Sequence, residues 1–188
     1  MSLRFLPNLL CVLRILLVYP VAQWILQGRY REVMLLFALA AFTDGLDGFL
    51  AKRFGWTSEL GKVLDPLADK LLLVTVFVCL SVVGLAPWWL TGLVFLRDLV
   101  ILCGAITYKR LHGPLRGAPT AASKLNTLCQ ILYCLATVAY AAYGRPAEPV
   151  VIALGALVLL TTAVSGIDYV LIYSRRAAAA ARGRAAAG

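Results

Sequence analysis

Apolar residues run along this chain in stretches too long for one face of a soluble helix, broken by short polar or glycine-containing intervals. A spanning helix needs about 20 such residues, and six segments qualify: 8–28, ending at Gly28-Arg29; 32–54; 61–84, ending at Gly84; a fourth from Pro87 to Lys109-Arg110; 121–143; and 148–174. Trp88 and Trp89 open the fourth as an interfacial anchor. The pattern predicts an all-α integral membrane protein, with six transmembrane helices forming one domain over 1–176. An alanine- and arginine-rich cytoplasmic tail follows at 177–188, read as a frayed helical extension. No internal repeat is visible, which weighs against an inverted-repeat transporter. The first segment carries Arg14 at its middle and no small-residue cleavage site, so it reads as a span rather than a cleavable signal peptide.

Composition agrees with that class. The 188 residues are 62% hydrophobic and only 14% charged, against about 25% charged in soluble domains. The net charge of +9 comes from short loops and the C-terminus, not from a basic domain with interleaved aromatics, so nucleic acid is not the expected partner. With both termini cytoplasmic, twelve Lys and Arg fall on the inner side (Arg4, Lys52, Arg53, Lys62, Lys109, Arg110, Arg116, Lys124, Arg175, Arg176, Arg182, Arg184). Only Arg29, Arg31 and Arg145 fall outside, so positive charge orients the bundle. The five cysteines lie in apolar stretches without C-x-x-C spacing and read as packing residues.

The acidic residues change the picture. Four of the chain's six aspartates occupy 26 consecutive positions, Asp44-x-x-Asp47-Gly48-x-x-Ala51-Lys52 and then Gly61-x-x-x-Asp65-x-x-x-Asp69. One such group near the centre of a membrane helix costs about 2.5–3.5 kcal/mol. Asp44, Asp47, Gly48 and Ala51 fall at i, i+3, i+4 and i+7, and Gly61, Asp65 and Asp69 at intervals of four, so each set marks one helix stripe. A rise of about 1.5 Å per residue puts Asp44 and Asp69 roughly 10–12 Å deep and Asp47 and Asp65 roughly 6 Å deep. Across an antiparallel hairpin the four converge in a polar cavity that opens to the cytoplasm. Carboxylates this close cannot all stay ionised without cations. Oxygen-only donors favour Mg²⁺ or Mn²⁺, and two divalent ions balance four charges in the arrangement used for phosphoryl transfer. Gly48 and Gly61 leave room either for a ligand or for close helix packing.

At these residues the chain resembles the CDP-alcohol phosphatidyltransferase family, whose signature is D-x2-D-G-x2-A-R-x8-G-x3-D-x3-D. Every fixed position matches except Lys52, where arginine is usual; the charge stays and the bidentate fork is lost, leaving Lys52 or Arg53 as the phosphate contact. Pro7-Asn8…Arg14 is similar to the family's opening stretch. The resemblance implies a six-helix membrane fold, a homodimer, a CDP-diacylglycerol donor and CMP as leaving group, and the short length implies a bacterial inner-membrane enzyme. Asp44, Asp47 and Asp65 would be metal ligands. Asp69 would complete the metal site and act as general base, and Gly48, Ala51 and Gly61 would line the cytidine pocket.

Two further segments bear on the acceptor. Leu96-Arg97-Asp98-Leu99 and Pro119-Thr120-Ala121-Ala122-Ser123-Lys124-Leu125-Asn126-Thr127 look more like the eukaryotic-type cardiolipin synthase branch, which uses phosphatidylglycerol. The phosphatidylglycerophosphate synthase branch, which uses glycerol-3-phosphate, usually has R-E and then G-K-x-K-T. Either acceptor carries phosphate, so Lys124 and Arg97 are candidate phosphate contacts. Lys124 could instead be a positive-inside loop charge, and Arg97 a structural partner of Asp98 or Asp168. An ion or proton transporter would spread its carboxylates along a path across the membrane; here they cluster at one depth.

Overall fold

The computed structural model describes residues 6–39, 61–112 and 120–185. Among them there are six helices and no strand: α1 (Leu6–Leu26), α2 (helical over 30–39), α3 (Gly61–Val82), α4 (Trp88–His112), α5 (Ala121–Tyr143) and α6 (Glu148–Ala185). By length and apolar composition, Ala121–Tyr143 and Glu148–Leu171 qualify as membrane spans. The all-helical expectation stands, and α5 coincides with the expected 121–143 segment. The expected 32–54 helix starts at 30, and its part beyond 39 lies outside the described residues. The tail is helical as far as Ala185, continuous with α6; alanine and arginine favour that continuation.

The side-chain distribution is the one expected of helices that face lipid. Large hydrophobics face outward on every described helix, among them Leu16, Leu35, Leu96, Ile152, Leu160 and Ile167. Ser81, Thr91, Arg97, Asn126, Gln130, Thr137, Thr161, Thr162 and Ser165 are buried. Where lipid tails are as apolar as leucine, burying leucine gains little, and small or hydrogen-bonding residues hold helices together instead.

The chain divides into two compact units. One comprises Met1–Trp88 and Cys134–Val151. In it α1 packs on α3, and Ile25, Val33, Phe77, Leu80 and Val138 are fully buried. Glycine sets where α1 and α3 stop. Gly28 and Gly84 sit at φ +73° and +78°, a left-handed conformation that side chains with a Cβ disfavour. Gly28 N–H donates to the Ile25 carbonyl (3.0 Å) and Arg29 N–H to that of Trp24 (2.8 Å). Gly84 and Leu85 do the same to Ser81 (3.1 Å) and Leu80 (2.8 Å). These paired bonds are Schellman caps that satisfy the last carbonyls, and they end both helices two residues before the glycines.

Beyond the first cap, the Arg29 guanidinium lies 5.2 Å from the centroid of the Trp24 ring and pairs with Glu32 at 2.9 Å. Arg31 lies 5.9 Å from the Tyr143 ring. Aromatic rings and arginines at one end of apolar helices are the arrangement expected at a membrane–water interface.

The second unit comprises Trp89–Tyr133 and Ile152–Gly188. Leu90, Val94, Cys129, Tyr133 and Val158 form its apolar core. Gly155 lets α6 approach Tyr133, since a Cβ there would lie 3.2 Å from the ring's Cε2.

Candidate functional site

Gly61, Asp65 and Asp69 lie on the first half of α3 at intervals of four, so one stripe of that helix carries them. The helix is described from Gly61 to Val82, within the expected 61–84 segment. Asp44, Asp47, Gly48, Ala51 and Lys52 lie outside the described residues, and so does the convergence of the four carboxylates in a cavity. Among the described residues there is no group of three or more His, Cys, Asp or Glu placed to hold a metal ion.

The acceptor candidates are described in detail, and they meet. Arg97, on α4, retains 6% of its surface. Its Nη1 donates to Asp98 Oδ1 at 2.7 Å and its Nη2 to Ser123 Oγ at 2.7 Å; Nη2 also donates to Ser165 Oγ on α6. One guanidinium therefore ties α4 to the first turn of α5 and to the middle of α6. Of its three nitrogens only Nε has no partner. The two segments that bear on the acceptor in the sequence are thus one structural unit. Of the two acids expected as partners of Arg97, Asp98 pairs with it.

Asn126, one turn beyond Ser123, is fully buried. Its Oδ1 accepts from Thr162 Oγ1 at 2.9 Å and lies 3.0 Å from Thr161 Oγ1. The single Thr161 proton has a competing acceptor in the Leu157 carbonyl, at 2.8 Å. Ser165, Thr161 and Thr162 are participants that the sequence reading passed over. Their spacing on α6, i and i+3 or i+4 within an otherwise apolar helix, was the available signal.

Lys124 is exposed in the first turn of α5. Thr120 caps that turn: its Oγ1 accepts from Ser123 N–H at 3.2 Å and its carbonyl from Lys124 N–H at 3.1 Å. No acidic residue occupies the turn. Lys124 therefore adds positive charge to a helix end that is already positive, an unfavourable placement that an anion would relieve. Because both Ser123 and Ser165 accept from Arg97, their own hydroxyl protons remain free to be donated.

Arg97, Ser123 and Ser165 share one level. From there α4 runs 15 residues to His112 and α6 runs 20 to Ala185, roughly 22 and 30 Å at the helical rise. Lys124 lies exposed in the first turn of α5, directly after Ser123.

Over residues 4–166 the chain matches the CDP-alcohol phosphatidyltransferase family, and it belongs to that family. It is 32% identical over 186 residues to a probable cardiolipin synthase (CMP-forming) of Drosophila melanogaster, covering 90% of this chain and 58% of that protein. To the cardiolipin synthase (CMP-forming) of Rattus norvegicus it is 32% identical, covering 87% and 59%. To a probable phosphatidylglycerophosphate synthase of Mycobacterium tuberculosis it is 32% identical, covering 88% and 79%. The chain thus spans just under three fifths of the length of the first two.

Proposed function

We infer that this chain transfers a phosphatidyl group from CDP-diacylglycerol to the glycerol hydroxyl of phosphatidylglycerol, giving cardiolipin and CMP. The observation that carries this choice is the joining of the Arg97-Asp98 and Ser123-Lys124 segments through one buried guanidinium. These are the segments that resemble the cardiolipin synthase branch, and two relatives bear that name. Glycerol-3-phosphate is the second reading, favoured by the mycobacterial relative, which the chain covers more fully.

Asp44, Asp47, Asp65 and Asp69 fit two divalent cations, Mg²⁺ or Mn²⁺. All four donors are carboxylates, and the two on α3 stand four residues apart on one stripe. When bound, the cations offset the carboxylate and pyrophosphate charges and polarise the phosphorus. Asp69 takes the proton from the acceptor hydroxyl. The hydroxyl oxygen bonds to the phosphorus nearer diacylglycerol, the pyrophosphate P–O bond breaks, and CMP leaves with the electron pair. Gly48, Ala51 and Gly61 leave space for the cytidine, and Lys52 or Arg53 contacts the diphosphate. Lys124, with the Ser123 hydroxyl and the end of α5, holds the acceptor phosphate. Arg97 acts chiefly by fixing Ser123.

Six spans, an active site on the cytoplasmic face of a bacterial inner membrane, a domain over 1–176 and a homodimer complete this reading. The outward-facing hydrophobics and the Arg–aromatic end of the first unit support the membrane setting. CMP release from CDP-diacylglycerol, dependent on phosphatidylglycerol and lost in Asp69→Asn, tests it; full activity of Asp69→Asn removes Asp69 as the base.

A further inference from the structure

An open groove of about 390 Å³ runs between α4 and α6, walled by Leu93, Leu96, Val100, Ile167 and Val170, with Arg97 and Gly166 among its lining residues. Its exposed wall is entirely apolar. The volume lies within the ligand-pocket range of about 300–1,000 Å³. Gly166 lies beside the Arg97 stem, and a Cβ there would make an ordinary contact with Arg97 Cγ, at 3.8 Å. The same arginine presents hydrocarbon to the groove and, through Nη2, holds Ser123 beside Lys124. Its Nε is buried with no partner.

We propose that this groove seats an acyl chain of an anionic diacyl phospholipid, whose phosphate is held at Ser123 and Lys124. This rests on the acceptor reading given above and deepens it, since it makes the acceptor a lipid rather than a soluble glycerol phosphate. Three features favour such a ligand over an ordinary lipid-facing surface. The groove's exposed wall is apolar, although Arg97 and Thr162 are among its lining residues, so it selects hydrocarbon. The positive first turn of α5 has no acid of its own, so it selects an anion. Arg97 belongs to both, so a molecule with both parts spans a short, continuous path. A charged donor buried beside hydrocarbon without a partner is costly, and an anionic oxygen at this level relieves it.

The experiment uses the full chain in detergent, with Ala163→Trp and Gly166→Leu filling the groove. Leu160→Trp, on α6 but not lining the groove, is the control. Native mass spectrometry reads retention of dioleoyl phosphatidylglycerol against dioleoyl phosphatidylcholine, independently of turnover. Wild type and Leu160→Trp retain phosphatidylglycerol preferentially, and both groove variants lose that preference. In kinetics, the groove variants raise KM for dioleoyl phosphatidylglycerol about tenfold, the scale of a few displaced methylenes, and shift KM for the dihexanoyl lipid much less. Equal retention by the groove variants and wild type overturns the proposal, as does equal retention of the zwitterionic lipid. A groove variant that turns a dimer into a monomer with lipid retention intact also overturns it, and makes the groove a seat for a second copy. Absence of CMP with every acceptor sinks the proposed reaction, while retention still decides the groove.

Discussion

Two apolar regions of the chain carry charge, and they do so in opposite ways. Around Arg97 the second unit balances itself: one cation, one carboxylate and two serine hydroxyls are joined by hydrogen bonds across three helices. The segment from Asp44 to Asp69 carries five acidic residues, the four aspartates of the motif and Glu59, with Lys52, Arg53 and Lys62 as the basic residues of the interval. A self-balanced cluster can stand as architecture. A same-sign cluster needs something from outside the chain, so it is the better candidate for chemistry. Loss of ligand should therefore damage function in one region, and loss of a side chain should damage structure in the other.

The largest effects fall on the acidic segment. Asp69→Asn and Asp47→Ala are expected to lower CMP release by at least the roughly 10²–10⁴-fold typical of general acid–base groups, with thermal unfolding little changed. Chelation should reproduce the loss in the wild type, and restored Mg²⁺ or Mn²⁺ should reverse it. An active, metal-independent Asp47→Ala would break the contrast at its stronger end.

Arg97→Ala comes next and should act on stability. It removes the guanidinium that pairs with Asp98 and releases the Ser123 and Ser165 hydroxyls; breaking such a buried pair costs about 3–5 kcal/mol. A melting temperature in detergent lower by something on the order of 10 °C checks this. Arg97→Lys should recover part of it, since an ammonium lacks the fork that spans α5 and α6. An unchanged melting temperature for Arg97→Ala would make the cluster ornamental.

Lys124→Ala, in contrast, should leave stability alone and raise the acceptor KM about tenfold, the scale of one charge-assisted contact, while the donor KM stays put. Equal movement of both constants would return Lys124 to a general positive-inside role. The smallest effect belongs to Arg29→Ala. Its pair with Glu32 is exposed, and such pairs contribute below about 1 kcal/mol.

The same contrast explains what was legible in the sequence. Asp65 and Asp69 are related by one helix, and their spacing of four places them on a stripe without knowledge of any neighbour. The limits of α1 and α3 were nearly legible too, because Gly28 and Gly84 mark the caps. The Arg97 cluster was not, since Ser123, Ser165 and Arg97 stand on three helices and nothing local joins positions 68 residues apart. Lys124 was legible as a charge, but its place next to a serine held by a buried guanidinium was not, because that guanidinium belongs to another helix.

The central claim is tested most directly by CMP release from CDP-diacylglycerol by the purified chain, with Mg²⁺ or Mn²⁺, offered phosphatidylglycerol and glycerol-3-phosphate in parallel. CMP formed with phosphatidylglycerol, and not with glycerol-3-phosphate, is the predicted result. CMP formed only with glycerol-3-phosphate would contradict the cardiolipin reading and mean that the Arg97 and Lys124 segments serve a soluble acceptor.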